Sequence, residues 1–188
     1  LREMSASQVL PIPNPFLKQS VGKLSKAGEL ERFARIGTFE EGADSVLFLL
    51  DVDERCAKEI VESWVPRLRA LNLDKKVGIG FFVREFESLF LACLDKISEQ
   101  YNTYGWSLDN WDVDDDHEAP RGAKDKLTGY MKSSIYKVTR DQAKFVSALD
   151  YVRLREHCRS YRHLESLVAW LQDDDADNVY PNIEDVDG

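Results

Sequence analysis

The sequence predicts an α/β fold in which a parallel sheet is flanked by helices and followed by a helical C-terminal extension. Two apolar runs, SVLFLL at 45–50 and KKVGIGFFV at 75–83, are too short for buried helices and read as central strands. Each is followed at once by a stretch with helical spacing. The crossover of about 25 residues between them fits a helix packed over a parallel pair.

Residues 1–20 carry three prolines and read as a loop leading into a short helix over Val21–Arg35. Gly42 and Asp44 punctuate the chain before the first strand. Ile60, Val61, Trp64, Val65, Leu68 and Leu71 then recur at helical spacing, and Pro66 is expected to kink or divide that helix. After the second strand, Phe86, Leu89, Phe90, Cys93, Leu94, Ile97 and Tyr101 form the apolar stripe of another helix. Residues 102–119 read as an acidic, aromatic loop. Ala123, Leu127, Tyr130 and Met131 make the next stripe, and Thr139–Gln142 resembles a capping box opening a helix through Phe145, Val146, Leu149 and Val152. A last helix runs through Tyr161, Leu164, Leu167, Val168 and Leu171. The expected organisation is an α/β core at 1–101, a loop at 102–119, a helical extension packed on the core at 120–172, and an acidic disordered tail at 173–188.

With 43% hydrophobic and 11% aromatic residues, the 188-residue chain can bury one good core. It has no apolar window long enough to cross a membrane and no leader-like N-terminus, so the expectation is a soluble, cytoplasmic protein without membrane contact. The opening Leu-Arg-Glu-Met reads as the interior of a longer sequence. Cys56, Cys93 and Cys158 are widely spaced and accompanied by three histidines, which argues against a zinc site or a disulfide framework.

Net charge is −9, which argues against a generic nucleic-acid binder. Yet residues 121–163 hold eleven Lys and Arg against four acids, a local excess of +7 between two acidic flanks. Such asymmetry marks either a phosphate-binding face or a solvated surface whose charge is offset by its neighbours.

The chemistry concentrates at the strand ends. Residues i and i+2 of a strand share a face about 6.5–7 Å apart, so Asp51 and Asp53 can converge in the crevice where open α/β sheets bind ligands. Two carboxylates about 4 Å apart repel by roughly 4 kcal/mol at an effective dielectric of 20. A hard divalent cation relieves that repulsion and accepts substrate phosphates as further ligands. Glu85 and Glu87 end the second strand in the same way; Glu85 is the candidate third carboxylate, either as a metal ligand through water or as an orienting, supporting group, whereas Glu87 fits the first turn of the following helix. The bland alternative is that acids follow strands because turns and helices begin there.

Other motifs fail. Asp112, Asp114 and Asp116 start like a calcium loop, but His117 stands where glycine is needed and Ala123 where the bidentate glutamate is needed. VGIGFF lacks the lysine and third glycine of a phosphate loop. His117, His157 and His163 read as surface or packing residues.

LFLLDVDERC, VREFESLFLA, RGAKDKL, YKVTRDQ and CRSYRHLESL occur in this order, and residues 45–171 thereby resemble a bacterial Toprim-like family encoded beside ATPases in mobile and antiphage-defence loci. The resemblance implies a small parallel α/β fold whose carboxylates bind Mg²⁺ (or Mn²⁺) for phosphodiester chemistry. Asp51 and Asp53 match the family's metal pair, and Glu85 the glutamate of its R-E-F-E segment. Lys124, Tyr136, Asp141, Gln142, Ser160 and Arg162 match later motifs. Arg121, Lys124, Lys132, Lys137 and Arg162 are the expected contacts to a nucleic-acid backbone. The family's first strand ends in a Glu-Gly pair whose glutamate is the general acid/base; Glu41-Gly42 directly precedes the metal strand and reads as a turn, so the Toprim-like core is incomplete at its N-terminus.

The expected activity is Mg²⁺-dependent nucleic-acid cleavage by a toxin or effector of a defence system. The alternative is a catalytically degenerate module that docks on an ATPase partner, with the acidic tail, Trp106 and Trp111 as contact surfaces; the tryptophans otherwise cover the sheet edge.

Overall fold

The computed structural model describes residues 20–39, 43–52, 55–119 and 121–181. The expectations for residues 1–19, Glu41-Gly42 and Asp53 lie outside them. The chain divides into two compact units: one combines Leu1–Phe81 with His163–Gly188, and the other is Phe82–Arg162. The division falls at residues 82 and 162, where the end of the second strand and the helices after it build a separate aromatic core.

The first unit contains the sheet. Strands β1 (Ser45–Asp51), β2 (Lys76–Phe82) and β3 (Val179–Tyr180) are parallel and lie in the order β1-β2-β3. Val77 is in register with Val179, and Gly78 with Tyr180. One face carries Phe48, Leu50, Val77, Ile79 and Val179 against α1 (Val21–Leu24), α2 (Glu29–Phe39) and α3 (Ala57–Arg69). Phe48 meets Trp64 edge-on at 6.5 Å. Gly28, at φ 76°, separates α1 from α2, so the expected single helix is two. Helix α3 runs unbroken through Pro66. That proline lies on the exposed side, while Trp64, Val65 and Leu68 bury the other and Arg67 pairs with Glu31 of α2 through contacts of 2.7 and 2.8 Å.

The opposite face is set by glycine. A Cβ on Gly78 would stand 2.6 Å from Leu167 and 2.9 Å from Leu47, and one on Gly80 would stand 2.8 Å from Leu49. A larger residue at Gly78 or Gly80 would push away Leu167 of α9 (Arg159–Gln172). Lys76 then closes the end of that helix: its ammonium donates to the carbonyls of Trp170, at 2.9 Å, and Asp173. Trp170 donates to Asp177 O at 2.9 Å and packs on Tyr180, and Asn178 donates to Leu73 O. These anchors seat β3, so the expectation of disorder beyond Gln172 does not hold over residues 173–181.

The second unit is helical. It contains α4 (Ser88–Ala92), α5 (Leu94–Gln100), a 3₁₀ turn (Asn102–Tyr104), α6 (Ala123–Tyr130), α7 (Val138–Val146) and α8 (Tyr151–His157). The single helix expected over 86–101 is interrupted at Cys93, whose sulfur accepts the Asp150 N–H. Phe145 is the hub of the core: Phe90, Tyr101, Tyr104, Trp106 and Tyr136 all lie within 5.9 Å of its ring centroid. Helix α7 opens at Lys137 without a side-chain cap. Asp141, not Thr139, does the capping work, by accepting the Lys137 N–H at 2.8 Å.

Gly78→Ala is expected to destabilise the protein by about 2 kcal/mol through overpacking. Urea unfolding checks this as a lowered midpoint with unchanged slope.

Candidate functional site

Asp51 ends β1, half-buried, on the same side of the strand as Leu47 and Leu49. Val52, next in the chain, is buried, the Arg55 N–H donates to Val52 O, and Cys56 opens α3. Among the described residues no group of three or more His, Cys, Asp or Glu side chains could hold a metal ion. Mg²⁺ asks for only one or two protein carboxylates, the rest of its octahedron being water and phosphate. A strand-end aspartate such as Asp51 is compatible with that demand.

Glu85 belongs to the second unit and is engaged there. Its Oε2 accepts the Lys124 N–H at 3.2 Å, and its Oε1 lies 3.6 Å from the Lys124 ammonium. The same ammonium stands 3.2 Å from Oε2 of Glu87, which is 1% exposed. Tyr136 donates its hydroxyl to Glu87 Oε1 at 3.1 Å. Burial, reinforced by the Glu87 carboxylate, pushes the Tyr136 hydroxyl far up, so it remains a neutral donor. Glu87 stands at the N-cap position of α4, where its side chain makes no cap bond and meets Tyr136 and Lys124 instead.

The other motif residues are equally committed. Asp141, fully buried, accepts from Tyr104 Oη at 2.8 Å, from Arg140 Nε at 2.6 Å and Nη2 at 2.7 Å, and from the Lys137 amide. Burial alone would raise its pKa; the hydrogen bonds from Arg140, Lys137 and Tyr104 outweigh it and hold the carboxyl below its ordinary value. Ser160 Oγ accepts the Val83 N–H at 2.8 Å. Glu118, 1% exposed, accepts the N–H groups of Arg159 at 2.6 Å and Ser160 at 3.0 Å, capping α9. Gln142 lies half-buried on α7.

Much of the basic block is structural. Arg140 pairs with Asp141, Arg153 with Asp95 and Lys124 with two glutamates. Arg159 lies 3.8 Å from Glu118, and Arg162 caps α8 through the carbonyls of Arg155 and Glu156. Lys132 donates to Gly129 O while remaining exposed. Arg121, Lys126, Lys137 and Lys144 are also exposed. Of the five expected phosphate contacts, Lys124 pairs with two glutamates and is half-buried, while Arg121, Lys132, Lys137 and Arg162 are exposed at the surface.

Burial pushes the thiols of Cys93 and Cys158 up to about 11 and about 12, which removes them as nucleophiles. His117 is a packing residue, as expected, but a buried one: it stacks on Trp111 at 5.9 Å, and burial lowers its pKa. Trp106 and Trp111 donate to the carbonyls of Tyr101 and Leu91. Sequence reasoning missed Glu118. Its only signal was an acid preceding a helix, and forty residues separate it from the helix it caps. Comparison with known protein families, curated proteins and solved structures finds no match.

Lys124→Met leaves the Glu87 charge facing Tyr136 alone and is expected to cost about 3 kcal/mol. Adding Glu87→Gln should recover part of that loss in a urea-unfolding double-mutant cycle. Asp141 sets an acid limit. Its depressed folded-state pKa contributes stability that is present above the unfolded value of about 3.9 and disappears as pH falls through the folded value. Asp141→Asn should therefore be less stable at neutral pH and show a shallower fall in melting temperature below about pH 4.

Proposed function

We propose that the chain is a Toprim-like, divalent-cation-dependent enzyme of phosphodiester hydrolysis, with Mg²⁺ or Mn²⁺ bound at the carboxyl end of β1. One observation carries the reading: Asp51 ends a parallel strand that the helix α3 follows in the chain, the end at which open α/β sheets place their ligands. Asp51 and Asp53 hold the ion in this reading, and the ion polarises the scissile phosphate. Glu85, with both oxygens turned to Lys124, positions that lysine instead of ligating. Arg121, Lys126, Lys132, Lys137 and Lys144 supply the charge that meets a nucleic-acid backbone. A role as an effector of a defence locus rests on the resemblance alone. Docking on an ATPase partner draws less support, because both tryptophans that suggested it spend their N–H groups on internal carbonyls.

The test is cleavage of plasmid and of single-stranded DNA and RNA in Mg²⁺ and Mn²⁺, with chelation as the control. Asp51→Ala should lower the cation-dependent rate by about 100-fold. Absence of cleavage in both cations, or cleavage that Asp51→Ala leaves unchanged, overturns the reading.

A further inference from the structure

The two edges of the sheet are treated differently. Strand β3 is two residues long and is followed by Pro181, both of which blunt an edge. Strand β1, on the other edge, is seven residues long, reads SVLFLLD, and contains neither lysine nor proline. Among the described residues no strand lies beyond it. A long apolar edge without such protection is a template for another strand.

The exposed apolar surface gathers around the same edge. Among the described residues of the first unit, the large hydrophobic side chains left exposed are Leu49 at 39%, Ile36 at 41% and Phe39 at 85%. Leu49 lies on β1, and the other two lie on α2, the helix packed against β1. Ile36 and Phe39 line an open groove of about 720 Å³ with Arg32 and Arg35.

We propose that two copies of the chain pair antiparallel through β1, joining their two sheets into one. The sequence of β1 is self-complementary in that arrangement. About a two-fold axis at Phe48, Leu47 faces Leu49 of the second copy, Val46 faces Leu50, and Ser45 faces Asp51. Every apolar residue meets an apolar residue, and the only acid meets a hydroxyl, so no like charges are opposed. The contact is isologous and closes on itself, satisfying both β1 edges at once. An axis normal to the sheet keeps both α2 helices on one face, where Ile36 and Phe39 of each flank it.

Sedimentation equilibrium of the 188-residue chain, from low micromolar to submillimolar concentration, should show 21.6 kDa monomers giving way to a species of twice that mass. Leu49→Lys should weaken association at least about tenfold by putting a charge opposite Leu47. Ile36→Ser with Phe39→Ser, at positions too exposed to disturb folding, should weaken it in the same direction. Amide exchange across residues 46–50 should slow with rising concentration in the wild type and not in Leu49→Lys. A monomer at every concentration overturns the proposal, as does a dimer that neither variant weakens. Concentration-independent protection of β1 in a monomer also overturns it, and assigns the edge to a segment of the same chain.

Discussion

Buried carboxylates dictate where the basic side chains of the second unit go. Glu87, Glu118 and Asp141 are each at most 1% exposed, and a carboxylate taken out of water must be met by charge or by several N–H and O–H donors. Lys124 and Tyr136 meet Glu87, the first turn of α9 meets Glu118, and Arg140, Tyr104 and a backbone amide meet Asp141. These bonds tie α4, α6, α7 and the loop before α6 to one aromatic core. They also explain why a run of positive charge in the sequence is not a uniformly positive surface: part of it faces inward to neutralise acids.

Much of the α/β architecture was legible because hydrophobic period and length leave little choice. SVLFLL and VGIGFF had to be strands, and the stripe from Ile60 to Leu68 had to cross over them. What escaped was set by distant partners. Val179–Tyr180 is too short to announce a strand, and it becomes one through its register with Val77 and Gly78. The role of the two glycines of β2 was equally invisible, since it depends on Leu167 arriving from elsewhere in the chain. Pro66 looked like a break because the rule is local, whereas the buried apolar side of α3 holds the helix together around it.

The candidate site was legible to a similar degree. A strand-end aspartate follows from pattern, and Asp51 is found at such an end. The role of Glu85 did not follow, because spacing places a carboxylate at a strand terminus without saying which cation it will meet. Lys124, also singled out from sequence, turned out to be that cation. The tryptophans show the same ambiguity in reverse: residues that read as contact surface are bound through their indole N–H groups to nearby carbonyls.

The first unit is discontinuous, and this has a consequence for synthesis. Residues 82–162 are emitted as one uninterrupted block and can assemble when they leave the ribosome, whereas β2 must wait for β3 and for the α9 residues that cover Gly78. Until then two apolar strands have only one covered face, and the closing contacts span about a hundred residues of chain, a slow and aggregation-exposed route. A chain stopped near Arg162 would retain the whole aromatic core yet leave Leu47, Leu49 and the central glycines open to solvent or to a chaperone.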